Sequence, residues 1–266
     1  MKPFLKWAGN KFPLVDRIKE VLPEGTRLIE PFAGAAALFL NTDYSKYLVA
    51  DTNADLINLY KSLKTEKTAL IEYAKTFFIA ENNTKERYYE LRAQFNETTD
   101  IRLRAALFLY FNKHGYNGLC RYNSTGGYNV PFGSYKRPYF PEEELHSFVK
   151  KSRRAQFRIW DFIKTMDSAQ AGDVVYCDPP YVPLSKTSYF SHYYKNGFDD
   201  TQQIHLAEKA AELSARGITV VISNHDTPFT REIYQGSSLN YFDVQRNISC
   251  DGSRRNAVPE LLAVFS

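Results

Sequence analysis

The chain has 266 residues, of which 44% are hydrophobic and 24% charged, and its formal net charge is +4. No stretch approaches the roughly 20 apolar residues that cross a bilayer, and the first residues lack the apolar region of a secretory signal. The cysteines Cys120, Cys177 and Cys250 share no ligand-like spacing with one another or with the five histidines. We therefore exclude a membrane protein, a disulfide scaffold and a zinc site, and expect a cytoplasmic monomer without a metal.

The first part of the chain alternates short β-branched runs with helical patterns. It predicts a helix at 16–21, strands at 27–30 and 47–50, and a helix at 54–63. Small residues around Gly34 follow the first strand, where a ligand can approach the backbone. Because ligands of open α/β sheets bind at the carboxyl ends of strands, this turn is a candidate ligand site.

An acidic residue, Asp51, ends the second predicted strand, 21 residues after Glu30. An acid about 20 residues beyond such a turn can accept both hydroxyls of a ribose. Because the turn lacks a full phosphate-cradling pattern, it favours a nucleoside cofactor without pyrophosphate, and S-adenosylmethionine fits better than a nicotinamide dinucleotide. Considered alone, Asp51 is better explained as a strand-end cap, so this interpretation depends on the preceding turn.

The strand signal nearly vanishes between residues 56 and 145, where helices are predicted at 84–95 and 101–113. Residues 101–158 contain 11 Lys or Arg against 3 acidic residues, and residues 108–140 hold 10 Phe or Tyr in 33 positions. Rings beside cations can stack bases and neutralise phosphates, which indicates a nucleic-acid surface. From charge alone, a solvated basic face is an equally good explanation.

Two features of this aromatic stretch have their own interpretation. Phe108, Tyr110 and Phe111 are better explained as the core side of a helix than as base-stacking rings. The turn-rich segment 123–127 between Tyr122 and Tyr128 predicts a hairpin that can enter a groove.

The tetrapeptide Asp178-Pro179-Pro180-Tyr181 directly follows a strand predicted at 173–177. Its prolines remove two backbone donors and bias the preceding aspartate toward extended backbone, so it projects rigidly from the sheet. The Asp178 carboxylate and Pro179 carbonyl can accept both hydrogens of an exocyclic amine, a weak nucleophile, and stabilise its developing charge. The alternative is a proline-stiffened turn with no chemistry, and we interpret Cys177 as a packing residue.

A helix is predicted at 201–216, and strands are predicted at 218–223, 239–244 and 261–265. The helix has an apolar stripe of Ile204, Leu206, Ala207, Ala210, Ala211 and Leu213. The alternation predicts an α/β fold with a parallel sheet covered on both faces. Taken with the candidate cofactor turn, the tetrapeptide that suits methyl transfer to an amine and the basic aromatic stretch, the expected fold class is a Rossmann-like S-adenosylmethionine-dependent methyltransferase core with a mostly helical DNA-recognition insertion bearing a hairpin or loop. We assign residues 1–55 and 146–266 to the catalytic domain and 56–145 to target recognition.

Ordered motifs along nearly the whole chain carry a resemblance to a known family. They are Phe4-Leu5-Lys6-Trp7-Ala8-Gly9-Asn10-Lys11, Glu30-Pro31-Phe32-Ala33-Gly34, Tyr116-Asn117-Gly118-Leu119-Cys120-Arg121-Tyr122-Asn123, Asn129-Val130-Pro131-Phe132-Gly133, the tetrapeptide, Ile222-Ser223-Asn224-His225-Asp226 and Glu260-Leu261-Leu262. With these motifs the chain resembles the Dam-type DNA adenine methyltransferases, which act on GATC. It departs from them at Asn10 and Ala36, each of which replaces a usual glycine and can alter cofactor affinity.

The resemblance implies that Trp7, Lys11, Asp51 and Asp178 contact the cofactor, and the strand end with its small-residue turn adds Glu30, Phe32 and Gly34 to the expected cofactor residues. The positions where the family touches the bases of its site are occupied by Lys6, Leu119, Arg121, Pro131 and Tyr135. The positions where it intrudes into the base stack are occupied by Tyr116 and Asn117. The basic aromatic stretch and its hairpin add Asn123, Lys136 and Arg137 to the residues expected to bind double-stranded DNA.

The expected reaction is methyl transfer from S-adenosylmethionine to N6 of adenine in double-stranded DNA, at GATC, by a cytoplasmic, nucleoid-associated enzyme. The target amine is occluded in a duplex, so the base must flip out. Arg121 is the best candidate for reading a guanine, with a phosphate contact as its alternative. Two other functions remain: methylation of cytosine N4 or protein glutamine, which the basic aromatic insertion and the motif set disfavour, and a non-catalytic DNA-binding regulator.

Overall fold

The predicted strands all occur in a single mixed sheet, whose central strands run parallel. The computed structural model describes residues 1–183, 198–245 and 257–266. Their strands are β1 Arg27–Glu30, β2 Lys46–Asp51, β3 Ala155–Ile159, β4 Asp173–Cys177, β5 Thr219–His225, β6 Ser238–Gln245 and β7 Ala257–Phe265. The sheet order is β3-β2-β1-β4-β5-β7-β6. The α/β fold class is confirmed.

The expectation of a wholly parallel sheet is wrong at one edge. Strand β4 pairs in parallel with β1 and β5, but β7 runs antiparallel to both β5 and β6. Only the 11 residues 246–256 separate β6 from β7 along the chain. Neighbouring parallel strands need a crossover of about a dozen residues or more, so this pair meets in antiparallel register instead.

Strand β3 was not predicted from the sequence. Its side chains alternate, with Ala155 and Phe157 buried and Gln156 exposed. The strand has only five residues and carries Arg158 beside Gln156. Its period-2 signal is therefore too short and too polar to distinguish it from a loop.

The predicted helices are confirmed, with ends shifted by one to three residues. The helices of the described residues are α1 Val15–Val21, α2 Ala37–Asn41, α3 Ala54–Glu66, α4 Thr68–Lys75, α5 Lys85–Glu97, α6 Ile101–His114, α7 Glu142–Ser152, α8 Phe162–Asp167, α9 Asp200–Ala215 and α10 Pro228–Ile233. Side-chain caps explain several starts: Asn53, Thr84, Asp100 and Asp199 each accept a backbone N–H of the first turn.

Helix α9 buries four of the six residues of its predicted apolar stripe, namely Leu206, Ala207, Ala210 and Leu213. Ile204 and Ala211 are exposed, whereas Gln203 lies buried beside Leu206, and the buried stripe continues along the helix. The stripe begins one residue earlier than the apolar pattern indicates. The buried polar side chain on an otherwise apolar face therefore needs polar partners in the interior.

The chain divides into two units by its internal contacts. The first unit contains residues 1–15, 33–43 and 49–159, and the second contains 16–32, 44–48 and 160–266. In the first unit, rings of Phe95, Phe111 and Tyr128 pack with centroids 5.2–5.6 Å apart. In the second, β1, β4 and β5 bury Ile29, Val175 and Ile222 against α9. The domain boundaries predicted above remain a prediction.

Candidate functional site

The carboxylate of Asp51 anchors the first unit's candidate ligand turn. Its Oδ2 accepts the Gly34 N–H at 3.2 Å, and its Oδ1 accepts the Asn53 N–H at 2.9 Å. Burial raises the pKa of Asp51, an effect that these N–H groups and that of Thr52 partly oppose. The turn and the acid thus form one hydrogen-bonded unit, and ribose binding by Asp51 remains a prediction.

Gly34 has two structural reasons to lack a side chain. Its φ of +43° lies in the left-handed region, and a Cβ atom would sit 3.0 Å from the ring of Trp7. The Gly34 carbonyl also accepts the Tyr60 hydroxyl at 2.6 Å. The structure therefore brings Trp7, Gly34 and Asp51 together, and it adds Tyr60, which the sequence did not single out.

Lys11 is buried, and its Nζ donates to the Gly9 carbonyl at 2.7 Å. The neighbouring Asn10 does not adopt positive φ, and its Oδ1 accepts the Phe12 N–H at 3.1 Å. The loop therefore does not require a glycine at position 10. This departure preserves the local backbone around Lys11.

Ala36 is the second departure, and here the backbone does adopt a glycine-like conformation. Its φ is 57° and ψ 40°, and it is the N-cap of α2. A left-handed alanine costs about 1–2 kcal/mol relative to the right-handed form. The side chain of Ala36 is buried, so packing of its methyl group offsets part of this cost.

In the second unit, the tetrapeptide occupies the end of the central parallel strand. Leu28 and Ile29 of β1 align with Val174 and Val175 of β4, and Cys177 aligns with Ile222 of β5. Because the carboxyl ends of parallel strands meet at one sheet edge, Asp178 follows β4 at the same edge where β1 ends in the buried Glu30. Phe32, two residues beyond, stacks on Phe162 with centroids 5.7 Å apart.

Within the tetrapeptide, Asp178 is partly exposed and Pro179 is buried. The Tyr181 hydroxyl donates to Glu260 Oε2 at 3.1 Å, and its ring meets His225 edge-on at 4.8 Å. Burial, followed by the nearby Asp178 charge, raises the pKa of Tyr181 well above its usual range. Tyr181 is therefore a neutral, fixed aromatic ring beside the Asp178 carboxylate.

Cys177 is fully buried in the core of the second unit. Burial raises the pKa of its thiol far above that of an ordinary cysteine. A nucleophilic cysteine needs an accessible thiolate. The interpretation of Cys177 as a packing residue is confirmed, whereas Cys250 lies outside the described residues.

Several predicted DNA-binding residues converge around α6 in the first unit. Lys6 Nζ lies 4.7 Å from the centroid of the Tyr135 ring, and the Tyr135 hydroxyl accepts the Asn117 N–H at 2.9 Å. Asn117 has φ 54° and ψ 14°, a left-handed conformation that asparagine tolerates. Next to it, a Cβ on Gly118 would lie 2.6 Å from Lys6 Cβ. Lys6, Asn117 and Tyr135 therefore form one cluster.

Asn112 of α6 organises this cluster, although the sequence analysis did not identify it. Its Oδ1 accepts the Lys6 N–H at 2.9 Å, and its Nδ2 donates to the carbonyls of Lys6 at 2.7 Å and Gly118 at 3.3 Å. The sequence signal that could have identified Asn112 is a polar residue among the apolar residues of a predicted helix. Beside the cluster, Tyr116 and Leu119 are exposed, and the Tyr116 N–H donates to the Pro131 carbonyl at 2.8 Å.

The predicted hairpin is confirmed as a short one. Tyr122 and Tyr128 form a single antiparallel bridge, and the Asn123 carboxamide oxygen accepts the Gly127 N–H at 2.7 Å and the Thr125 hydroxyl at 2.8 Å. Asn123 therefore shapes the turn, and a DNA contact by it remains a prediction. Arg121 lies at the hairpin's base, where its guanidinium donates to the Asn129 Oδ1 and carbonyl at 2.8 and 3.1 Å.

A polar network that the sequence did not reveal fastens this hairpin to the helices. Asp55 accepts the Tyr122 hydroxyl at 2.6 Å and forms an ion pair with Arg104. Arg104 also donates to the Phe95 carbonyl at 2.7 Å. The pKa of Tyr122 is raised above its usual range, mainly by burial. The hairpin base is therefore fixed, while Lys136 and Arg137 beyond it are exposed.

The ten rings of residues 108–140 divide between core and surface. Phe108, Tyr110 and Phe111 are buried, as predicted, and Tyr128 joins them. Tyr116 is among the exposed rings, with 52% of its surface accessible. Four of the ten rings therefore belong to the first unit's core, four are half-buried, and Tyr116 and Tyr139 are exposed.

Residues 1–183, 198–245 and 257–266 contain no group of His, Cys, Asp or Glu side chains arranged to hold a metal ion. No helix within those ranges is long and apolar enough to cross a membrane.

Comparisons with known proteins agree over the full chain. A model of the D12 class N6 adenine-specific DNA methyltransferases matches residues 7–248. The DNA adenine methylase of Vibrio cholerae is 53% identical over 266 residues, which cover 100% of this chain and 96% of that protein. Those of Salmonella typhi and Escherichia coli K12 are 52% and 51% identical over 264 residues, covering 99% of this chain and 95% of each relative.

Proposed function

The chain belongs to the D12 class of N6 adenine-specific DNA methyltransferases, and from that premise we propose that it methylates adenine within GATC, using S-adenosylmethionine. One observation carries the catalytic assignment. Asp178-Pro179-Pro180-Tyr181 leaves the end of β4, which is hydrogen-bonded on both sides by parallel strands. A rigid support of this kind is what holding a weakly nucleophilic amine requires.

The residues around both strand ends fit a nucleoside methyl donor. S-adenosylmethionine supplies an electrophilic methyl group when bound. In the first unit, Asp51 would accept the ribose hydroxyls, the Trp7 ring lies against Gly34, and Lys11 Nζ donates to the Gly9 carbonyl. In the second unit, Glu30 ends β1 and Phe32 lies two residues beyond it, and both belong to the proposed set of cofactor residues. These residues fit a nucleoside because the Asp51 carboxylate and the Trp7 ring both lie against Gly34, which has no side chain.

For the adenine, the Asp178 carboxylate and the Pro179 carbonyl would each accept one amine hydrogen. As the nitrogen would bond to the methyl group, the methyl–sulfur bond would break and leave a neutral thioether; these two acceptors would stabilise the positive charge that develops on the nitrogen. Tyr181 would stack on the base, with its ring plane fixed by Glu260 and His225. The methylated amine would then release a proton through the Asp178 carboxylate to solvent, so Asp178 acts first as an acceptor that orients the nitrogen.

On the DNA side, we propose that the cluster of Lys6, Asn117 and Tyr135 contacts the recognition site while the target base is flipped out. Tyr116 is exposed beside this cluster and can fill the gap that the base leaves. Flipping costs about a few kcal/mol, and a ring in the gap offsets part of that cost. Leu119, Arg121 and Pro131 complete the proposed base contacts, and Asn123, Lys136 and Arg137 complete the proposed DNA surface.

The central test uses methyl-labelled S-adenosylmethionine and two duplexes of identical sequence. One contains GATC, and in the other the adenine of both GATC strands already carries N6-methyl groups. We expect label in the adenine of the first duplex and none in the second. Label in the premethylated duplex, or equal label in duplexes without GATC, would contradict the proposed target.

We expect Arg121→Ala to relax preference at one base pair of the site, because a bidentate arginine contact to guanine contributes roughly 1–3 kcal/mol of discrimination. Arg121→Lys separates this role from a phosphate contact, since lysine keeps the charge but not the paired donors. Methylation rates on duplexes with single base-pair changes are the measurement. If Arg121→Lys behaves as wild type and Arg121→Ala weakens all sequences equally, Arg121 contacts phosphate.

We expect DNA affinity to fall with salt, but less steeply than the basic block of residues 101–158 predicts. Arg102, Arg104 and Arg154 of this block are paired with Glu66, Asp55 and Asp43. Replacing both Lys136 and Arg137 by alanine should lower the slope of log affinity against log salt by about two, roughly one for each phosphate contact. Arg154→Ala is the matched control. An equal change in slope for this control would contradict the assignment.

A further inference from the structure

Two buried amide side chains of the second unit have no role in the proposals above. Gln203 lies on the buried face of α9 and is 2% exposed, and Asn224 lies near the end of β5 and is 0% exposed. Asn224 belongs to a motif that carries the family resemblance, whereas Gln203 occupies a position where the apolar stripe predicts no polar residue. Burial of an amide is costly unless its polar atoms are bonded.

All four hydrogen-bonding positions of Asn224 are in use. Its Oδ1 accepts the N–H groups of Val182 at 3.1 Å and His225 at 2.9 Å. Its Nδ2 donates to Gln203 Oε1 at 3.0 Å and to the Tyr234 hydroxyl at 2.9 Å. An amide has two donor and two acceptor positions of this kind. Asn224 therefore has one orientation, fixed from every side.

The two amides hold the main chain on both sides of Tyr181. Gln203 Nε2 donates to the Pro180 carbonyl at 2.7 Å, and Asn224 accepts the Val182 N–H. Pro179 and Pro180 have no N–H, so this segment cannot bond like a strand. The amides supply the bonds that secondary structure would otherwise provide, and they join the two peptide groups that flank Tyr181 to α9 and β5.

The Tyr181 ring and the next carbonyl are held by the same elements. His225 Nδ1 donates to the Val182 carbonyl at 2.6 Å, since a carbonyl can only accept, and the His225 ring meets Tyr181 edge-on. Glu260 on β7 accepts the Tyr181 hydroxyl. Backbone and ring are thus fixed together, by side chains whose own positions are set by the sheet and α9.

We propose that Gln203 and Asn224 are positioning residues, which act through Pro180 and Val182 to hold the tetrapeptide in its reactive geometry. This inference rests on the role proposed above for Asp178 and Pro179. A misplacement of about 1 Å at a reacting group costs on the order of 100-fold in rate. The amide pair determines where the tetrapeptide leaves the sheet, so its loss affects turnover more than the binding of either substrate.

The test compares Gln203→Met with Tyr234→Phe. Each variant removes one of the two acceptors of Asn224 Nδ2, so each leaves the same buried donor with one bond fewer. Methionine keeps the length of the glutamine side chain but cannot donate to Pro180. Among the described residues, the Tyr234 hydroxyl bonds to Asn224 and not to the tetrapeptide. The two variants therefore leave Asn224 with the same deficit, but only Gln203→Met also releases the Pro180 carbonyl, so it should lose more stability.

We expect Gln203→Met to lower kcat about 10- to 100-fold, with KM for DNA and for S-adenosylmethionine within about twofold of wild type. Tyr234→Phe should keep kcat within about threefold and lower the Tm less than Gln203→Met, with kcat measured well below the Tm of both variants. Equal losses of kcat in the two variants would show a merely structural role. A wild-type kcat in Gln203→Met would also overturn the proposal.

Hydrogen exchange on the ligand-free protein gives a second readout that does not need methyl transfer. The amide of Val182 should exchange faster in Gln203→Met than in wild type or Tyr234→Phe, and unchanged exchange would overturn the proposal. If wild-type protein transfers no methyl group to DNA, the proposed function fails, and the exchange data still report whether the amides hold the segment. If wild type is active and the variants are indistinguishable, only the positioning role fails.

Discussion

Asp178→Ala is expected to lower kcat for methyl transfer about a thousandfold while DNA binding stays largely intact. The variant removes the carboxylate that would accept an amine hydrogen, and removal of one preorganised group at a developing charge typically costs about 100- to 1000-fold. Asp178 is partly exposed at the end of β4, so its loss leaves no cavity in the core. Single-turnover methylation and DNA titration are the two measurements.

The neighbouring residue offers the matched control for this experiment. Cys177→Ala changes the adjacent position on the same strand, but its side chain is fully buried among the apolar residues of the second unit. We expect turnover close to wild type with a modest loss of Tm. Near-normal turnover in Asp178→Ala, or an equally large loss in Cys177→Ala, would show that the strand end matters only for the fold.

Asp51→Asn is expected to weaken S-adenosylmethionine binding about 10- to 100-fold, because hydrogen bonds to a charged acceptor contribute roughly 1.5–3 kcal/mol. Asparagine keeps the shape of the side chain, but its amide group cannot accept from Gly34 or Asn53 as the second carboxylate oxygen does. Titration calorimetry measures the affinity directly. Asp43→Asn is the control, since the Asp43 side chain is 87% exposed and belongs to the same unit.

The pH dependence of cofactor affinity provides an independent check on Asp51. Burial raises the pKa of this carboxyl above its ordinary value, and the protonated form is a poorer acceptor for ribose hydroxyls. Affinity should therefore be complete above the raised pKa and decrease as the pH falls through it, beginning at a higher pH than for an ordinary aspartate. The decrease should disappear in Asp51→Asn. Identical pH profiles for the two proteins would contradict a direct contact.

Asn10 and Ala36, the two departures from the family pattern, differ in a property that the sequence does not show, the backbone conformation. Asn10 looks as disruptive as Ala36 in the sequence, because each replaces a usual glycine. Of these two residues, only Ala36 has a left-handed backbone. Replacement of a glycine therefore carries a conformational cost at position 36 and not at position 10. The type of residue was readable from the sequence, whereas φ depends on how the turn closes against its neighbours.

The sequence by itself determined the α/β class, five of the ten helices and six of the seven strands of the described residues, and it put Gly34 and Asp51 in one candidate cofactor site. Each of these predictions depends on hydrophobic periodicity or on a short spacing along the chain. Such local patterns fix where a strand or helix ends, and ligands of α/β sheets bind at the strand ends. The tetrapeptide was likewise identifiable, because two consecutive prolines restrict the backbone whatever surrounds them.

Only the tertiary structure decided which polar side chains enter the interior. Gln203 rather than Ile204 lies on the buried face of α9, because Pro180 and Asn224 offer it partners there. In the same way Asn112 is buried because Lys6, from a segment distant in the chain, and Gly118, six residues away, both bond to it. Burial of an amide is tolerated only where hydrogen-bond partners surround it. Hydrophobic periodicity does not predict where the fold brings such partners together.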